Sequence, residues 1–318
     1  MHNNKYSKLK VTLLSVFAVS LVAGCKINDA EAKLPFSIVY GSKTAQDKNK
    51  SIYISDEEGK RRIKIVGATL SDGYPAVSAS GKQLAFYGKY DKYKTWSIHT
   101  VDLDGQNVRR LTHKKNVWDS SPTWSPNGQM IAFAREYRGD DGQFLGEIWL
   151  MNADGTNKRQ IKALKGSSPE FMPDGRLLYQ TMTEPNQISI ANIDGTEKTQ
   201  LTNDDSNNYH PKISPDGKHI AYLANRDGNQ EVYVMDINGR NQRRITKNYI
   251  SEWDPAWSLD GSKVLFSSQN VHGFYDIYKA NQDGSQIEKV VENASQAAGL
   301  FGVNSSVLEA LVGNINHQ

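Results

Sequence analysis

Pro211-Lys212-Ile213-Ser214-Pro215-Asp216-Gly217-Lys218, followed at once by Ile220-Ala221-Tyr222-Leu223, decides the fold because it recurs along the chain. The same form returns as PAVSASG (Pro75 to Gly81), PTWSPNG (Pro122 to Gly128), PEFMPDG (Pro169 to Gly175) and PAWSLDG (Pro255 to Gly261). Successive leading prolines are 47, 47, 42 and 44 residues apart. A second turn signature alternates with the first and occurs six times: Glu58-Gly59, Asp104-Gly105, Asp154-Gly155, Asp194-Gly195, Asn238-Gly239 and Asp283-Gly284. A fixed period of this size marks a stacked repeat rather than two unrelated domains.

Short β-type runs flank each turn. LAFY (Leu84 to Tyr87), IAFA (Ile131 to Ala134), LLYQ (Leu177 to Gln180), IAYL (Ile220 to Leu223) and VLFS (Val264 to Ser267) follow the first signature. WSIHTVD, EIWLMN, QISIAN, EVYVMD and DIYKAN precede the second, and RRLT, KRQI, TQLT, RRIT and EKVV follow it. Asp-Gly and Asn-Gly between such runs favour tight hairpins, because both central residues can adopt positive φ. Each unit therefore reads as four antiparallel strands, with the leading Pro tolerated at the start of the first. A lone four-stranded sheet cannot cover both its faces, whereas blades stacked around an axis cover one another. The expected fold is all-β, a six-bladed β-propeller of four-stranded antiparallel blades. Val77, Trp124, Phe171, Ile213 and Trp257, each two places after a repeat Pro, are expected in the core between blades. The first blade is expected to combine both termini, with a closing strand near Ala298 to Asn304 that puts Gly299-Leu300-Phe301 in the slot of Pro255-Ala256-Trp257. Val307 to Val312 reads as a further strand or a short helix.

Outside the repeat, Lys5, Lys8 and Lys10 precede the uncharged run Val11 to Gly24, which ends at Cys25, the one cysteine of the 318-residue chain. This has the order of a secretory signal, and fourteen helical residues would rise only about 21 Å, short of a roughly 30 Å hydrocarbon core. Residues 1–24 are expected to be a signal peptide, 25–35 a modified Cys and its tether, and 36–318 the propeller. A lone Cys excludes an internal disulfide framework and a Cys-based zinc site. The formal net charge of +3 comes from the three signal lysines, whose removal leaves 35 basic and 35 acidic residues. Such a chain is not expected to bind nucleic acid.

Two resemblances follow from these residues. Val22-Ala23-Gly24-Cys25 resembles the lipobox of bacterial lipoproteins, which implies diacylglycerol on the Cys25 sulfur, cleavage before it and acylation of the new amino group. Lys26 in place of an Asp implies sorting to the outer membrane, facing the periplasm, if the cell is Gram-negative. Residues 36 to 304 resemble the TolB-type propeller repeat: Leu111-Thr112, Leu201-Thr202 and Ile245-Thr246 match its leucine-threonine element, and Ser214-Pro215-Asp216-Gly217-Lys218 with Ile220-Ala221-Tyr222 is its closest unit. The resemblance implies envelope protein partners, including a peptidoglycan-associated lipoprotein and other Tol-system components. TolB itself carries an α/β domain before its propeller; only about ten residues separate Cys25 from the first strand here, so that domain is expected to be absent.

Catalytic constellations are scarce. No Gly-x-Ser-x-Gly elbow occurs, so a hydrolase triad of the prolyl-oligopeptidase kind is not expected. Propellers of the oligogalacturonate-lyase kind are the alternative, and they hold a metal near the axis by several His ligands. After Cys25 the histidines are 99, 113, 210, 219, 272 and 317. Only His210, before Pro211, lies where a first strand enters the centre; the other positions before a repeat Pro are Tyr74, Ser121, Ser168 and Asp254. A satisfied loop histidine is the expected reading of His210, and no metal or other cofactor is expected besides the lipid. Asp72, Asp119, Asn203-Asp204-Asp205, Asn207-Asn208, Glu252 and Asp254 crowd the loops entering the first strands without the spacing of a Ca²⁺ loop, and solvated turn residues are expected. Loops from every blade meet at one rim and at the axial opening, so Tyr74, Ser121, Ser168, His210, Trp253 and Asp254 are the candidate binding residues of an expected monomer.

Overall fold

The structure, a computed structural model, describes residues 37–44, 47–89 and 95–299. The signal segment, Cys25, the tether to residue 35 and Val307 to Val312 lie outside the described residues. Those described form strands and turns, with no helix among them.

Strands succeed one another as four-membered antiparallel meanders. The opening strands are β1 (Ile38–Ser42), β2 (Ser51–Ser55) and β3 (Arg62–Val66). Then come β4 (Asp72–Val77), β5 (Gln83–Lys89), β6 (Trp96–Asp102) and β7 (Arg109–Arg110), followed by β8 (Trp118–Trp124), β9 (Met130–Arg138), β10 (Phe144–Asn152) and β11 (Arg159–Phe171). Next are β12 (Leu177–Thr181), β13 (Ile188–Ala191) and β14 (Thr199–Gln200), then β15 (Asn208–Ile213), β16 (His219–Ala224), β17 (Glu231–Asp236) and β18 (Arg243–Arg244). The last are β19 (Glu252–Trp257), β20 (Lys263–Gln269), β21 (Tyr275–Asn281), β22 (Glu288–Val291) and β23 (Ala294–Gly299).

Strands β15 to β18 and β19 to β22 are separate four-stranded sheets, and β23 pairs antiparallel with β1 to give a third in the order β23-β1-β2-β3. Strands β4 to β14 are hydrogen-bonded as one larger sheet, joined at two seams. One is a single parallel pairing, Trp96 with Trp118, between β6 and β8. The other is β11, whose first half pairs with β10 and whose second half, from Gly166, pairs with β12. The first strands of the meanders neighbour one another in a closed cycle, β4, β8, β11, β15, β19, β23 and back to β4. The closing strand thus begins earlier than the sequence spacing suggests: Ala297, not Gly299, stands where the other first strands carry Pro, and residues 300–304 lie outside the described residues.

The turns differ from expectation in type. Gly105 has φ of +84° and donates its N–H to the Asp102 carbonyl (2.8 Å), while Asp104 keeps negative φ and its Oδ1 accepts the Gln106 N–H (2.9 Å). This is a type I turn closed by a left-handed glycine, selected because the aspartate side chain satisfies the turn's free amide. The fourth strands are short for a related reason. Thr112, Thr202 and Thr246 are buried, and each hydroxyl accepts a third-strand amide, from Ile98, Ile188 and Val232, at 2.9 Å. The leucine-threonine element therefore replaces ladder bonds with side-chain bonds and turns the chain toward the next meander.

Each core cluster lies between successive meanders. Ala221, Leu223, Val232 and Val234 from one sheet pack on Trp257, Val264, Phe266 and Ala280 of the next. Ile38, Tyr40, Tyr53 and Ala297 close the cycle against Leu265, Ile277 and Val291. The repeat aromatics also bridge sheets by hydrogen bonds: Trp124 Nε1 donates to the Ala76 carbonyl (3.1 Å) and Trp257 Nε1 to the Lys212 carbonyl (2.9 Å). Trp124, Phe171 and Trp257 are buried, and Val77 and Ile213 are half-buried against neighbouring clusters.

Candidate functional site

Five first strands carry a register break spanning the residue before the repeat Pro, between Gly73 and Ala76, Ser120 and Thr123, Ser167 and Glu170, Tyr209 and Lys212, and Trp253 and Ala256. Proline has no N–H to donate, so the ladder bulges there. The residue before it takes positive φ at every repeat: Tyr74 (48°), Ser121 (48°), Ser168 (47°), His210 (49°) and Asp254 (50°). Gln296, before Ala297 in β23, follows them at 59°. Non-glycine residues rarely enter this region, and six at one structural position show that the bulge imposes it.

All six line space enclosed by the cycle of first strands. A cavity of about 470 Å³ is walled by Tyr74, Ser121, His210, Asp254 and Gln296 together with the repeat prolines and Trp124, Phe171 and Trp257. A second space of about 210 Å³ is bounded by Tyr74, Ser121, Ser168 and His210 and continues among Ser120, Ser167, Glu136, Gln180 and Trp96. One end is thus apolar and proline-rich and the other is rich in hydroxyls, with the six bulge residues between. Trp253 is half-buried in β19 and lines neither space, because alternate side chains of a strand face opposite ways and Asp254 takes the inward position.

The bulge residues are cross-linked. Tyr74 donates its hydroxyl to Asp254 Oδ1 (2.9 Å) and stacks on the His210 ring, with centroids 6.1 Å apart. Ser168 Oγ lies 3.5 Å from His210 Nδ1, and the His210 amide donates to Gln180 Oε1 (3.3 Å). Burial lowers the His210 pKa against a partly opposing pull from Asp254, so the ring is neutral at neutral pH. Burial, Asp254 and Tyr87 raise Tyr74 well above the ordinary phenol range. Behind Gln296, Lys50 Nζ donates to Gln296 Oε1 and Ser295 Oγ, both at 2.8 Å. Burial pushes Lys50 down to about 8, with Asp254 acting in the opposite sense. Lys212 pairs with Glu170 at 2.5 Å.

Among the acidic and amide residues entering the first strands, Asn203 and Asp205 are exposed as expected, whereas four others are not solvated. Asp72, Asp119, Asn208 and Glu252 are buried. Arg135 donates to both Asp119 oxygens (2.7 and 2.8 Å), the Ala68 amide donates to Asp72 (2.8 Å), and Asn248 Nδ2 donates to Glu252 (2.6 Å). These groups stitch a loop to the strand behind it, as buried polar groups must. Among the described residues, no three His, Cys, Asp or Glu side chains are gathered so as to hold a metal ion. His113 is exposed beyond β7, and His99 is buried in β6 with its pKa pushed down to about 4 by burial.

Sequence reasoning misses Gln296, Glu136, Gln180, Trp96 and Lys50. Gln296 has no Pro beside it; only the position of the closing strand reveals it. Glu136 is more legible, as a charge two places beyond the apolar run Ile131 to Ala134 on the strand paired with β8.

The TolB β-propeller domain model matches residues 146–308. A TolB homolog from Chlorobium luteolum is 30% identical over 214 residues, 65% of this chain and 46% of that protein. The chain spans about half the length of the curated relatives it matches. Among solved structures, TolB from Acinetobacter baumannii superposes with a TM-score of 0.73 at 20% identity, over 85% of this chain and 67% of that one. The putative TolB from Agrobacterium tumefaciens gives 0.62 at 20% identity, over 80% and 88%. These two share the propeller fold, which assigns the four-stranded meanders as blades. With the repeat, the bulged first strands and the matching family model in agreement, this chain belongs to the TolB β-propeller family.

Proposed function

We propose that the protein is a six-bladed, lipid-anchored propeller of the cell envelope that binds a partner protein by taking a segment of it into the central channel. The carrying observation is that the same bulge position of all six first strands lines one or both of two adjoining spaces, which share Tyr74, Ser121 and His210. The closed cycle of first strands supports the blade count. A wall of prolines and aromatics at one end and hydroxyls at the other suits a polypeptide segment, whose backbone and side chains need both surfaces. The lipobox-like Val22 to Cys25 supports anchoring by acyl chains on Cys25, and membership of the TolB family supports a protein partner in the periplasm, on the Tol-system model. An outer-membrane position follows from Lys26 on the same resemblance.

The test is affinity capture from solubilised envelopes with wild-type protein and with Ser121→Trp, which fills the channel from a position that lines both of its spaces. The wild type should recover one envelope protein that Ser121→Trp, folded to the same circular dichroism, does not. Equal recovery by both would remove the channel from the account.

A further inference from the structure

Of the charged groups along the channel, one has no counter-charge. Lys212 is paired with Glu170, and Lys50 feels Asp254 as its principal charged neighbour. Glu136 faces the hydroxyl-rich space, where Ser167 Oγ donates to its Oε1 (2.5 Å) and Ser120 Oγ to its Oε2 (3.4 Å). Among the described residues no Lys, Arg or His is paired with it. Two hydroxyl donors leave about half the lone-pair capacity of an ionised carboxylate unused. Burial alone acts against its charge, holding its pKa above the ordinary range, with the two serines opposing.

The wall around Glu136 contains Trp96, packed flat on Tyr87 with centroids 4.7 Å apart and so held in one orientation. The space, about 210 Å³, is enough for one side-chain head and not for a folded element. A carboxylate without a cation beside an immobilised indole is a pair that attracts an organic cation, through charge and through the ring face.

We infer that this chamber binds one alkylammonium or guanidinium group carried by the partner, with Glu136 as its counter-charge and Trp96 as its aromatic wall. The inference rests on the channel being the partner's binding site. It specifies the chemistry inserted there: a Lys or Arg side chain, or an amino terminus, presented at the end of an extended segment.

The test is titration of the wild-type protein with N-acetyl-arginine methylamide and with its neutral isostere N-acetyl-citrulline methylamide, read by the Trp96 indole signal in ¹⁵N NMR. The arginine probe should shift that signal, the citrulline probe should bind at least about tenfold more weakly, and Glu136→Gln should lose a similar factor for arginine at unchanged melting temperature. No shift with arginine, equal binding of citrulline, or unchanged arginine binding by Glu136→Gln would each overturn the inference. The citrulline comparison needs no variant, so it decides the matter even if Glu136→Gln fails to fold. Failure here with Ser121→Trp still abolishing capture leaves the channel as the partner site without a cation. Arginine binding with capture unaffected by Ser121→Trp leaves the cation site and removes the channel reading.

Discussion

At Gly239 two demands meet in one residue. Its φ is +82°, and a Cβ there would lie 2.5 Å from the Leu201 carbonyl oxygen of the preceding blade. Gly239→Ala should therefore cost more than the about 1–2 kcal/mol of the left-handed conformation alone, measured by urea unfolding, because the neighbouring backbone must also retreat. Thr246 makes the complementary point about side chains. Its hydroxyl accepts the Val232 amide in a buried site, so Thr246→Val should cost about 1–3 kcal/mol by leaving that donor unpaired. Glu252 supplies a pH dependence. It is buried, with one oxygen unpartnered, and burial pushes its pKa from the ordinary 4.5 to about 7. A folded-state pKa above the unfolded one means the native state holds the proton more tightly. Stability therefore falls as pH rises from about 4.5 through about 7, in total by roughly 3 kcal/mol, and is not recovered above that range. Glu252→Gln should flatten that decline in melting temperature; an unchanged pH profile would assign the decline elsewhere.

The strands and turns show where sequence reading succeeds and where it stops. The first strands are legible because proline forbids a ladder bond at a fixed place, and Pro75, Pro122, Pro169, Pro211 and Pro255 print that place directly. The closing strand lacks a proline, so its register depends on pairing with β1, more than 250 residues away, and spacing alone sets it too late. The turn type was misread because Asp104 acts through its side chain rather than through its backbone. The burial of Asp119 was invisible for another reason: its partner Arg135 reaches it only after β8 and β9 pair. Trp257 carries a consequence at the scale of elements. It is buried between sheets and ties β19 to β15 through the Lys212 carbonyl, so Trp257→Ala should cost about 3–5 kcal/mol. Deleting β23, by ending the chain at Asn293, should be worse, since β1 would lose its inner partner and the cycle would open. Aggregation of that truncation, against a monomeric full-length domain in size-exclusion chromatography, is the expected result; a folded monomer would show that closure is dispensable.

For the whole molecule, what matters is that six first strands, neighbours in a closed cycle, bring one backbone position together. No blade carries the proposed binding site alone; Tyr74, Ser121, Ser168, His210, Asp254 and Gln296 come together only when the cycle closes. The inward position is legible from the five residues before proline, whereas the polarity of the enclosed space, apolar at one end and hydroxyl-lined with an unmatched carboxylate at the other, emerges only from the folded ring. On the proposed cleavage before Cys25, loss of Lys5, Lys8 and Lys10 would leave a chain of zero formal charge, in which long-range steering would contribute little and the proposed recognition would depend on the local field of the channel. Lipidation predicts palmitate incorporation that Cys25→Ser abolishes, and two or three acyl chains would hold the propeller firmly at a bilayer. The most direct measurement of the central claim is site-specific photocrosslinking in the native envelope, with benzoylphenylalanine placed at Ser121 in the channel and, separately, at Phe144, an exposed position on β10. The account predicts one discrete protein adduct from Ser121 that Phe144 does not give; adducts from Phe144 with none from Ser121 would contradict it.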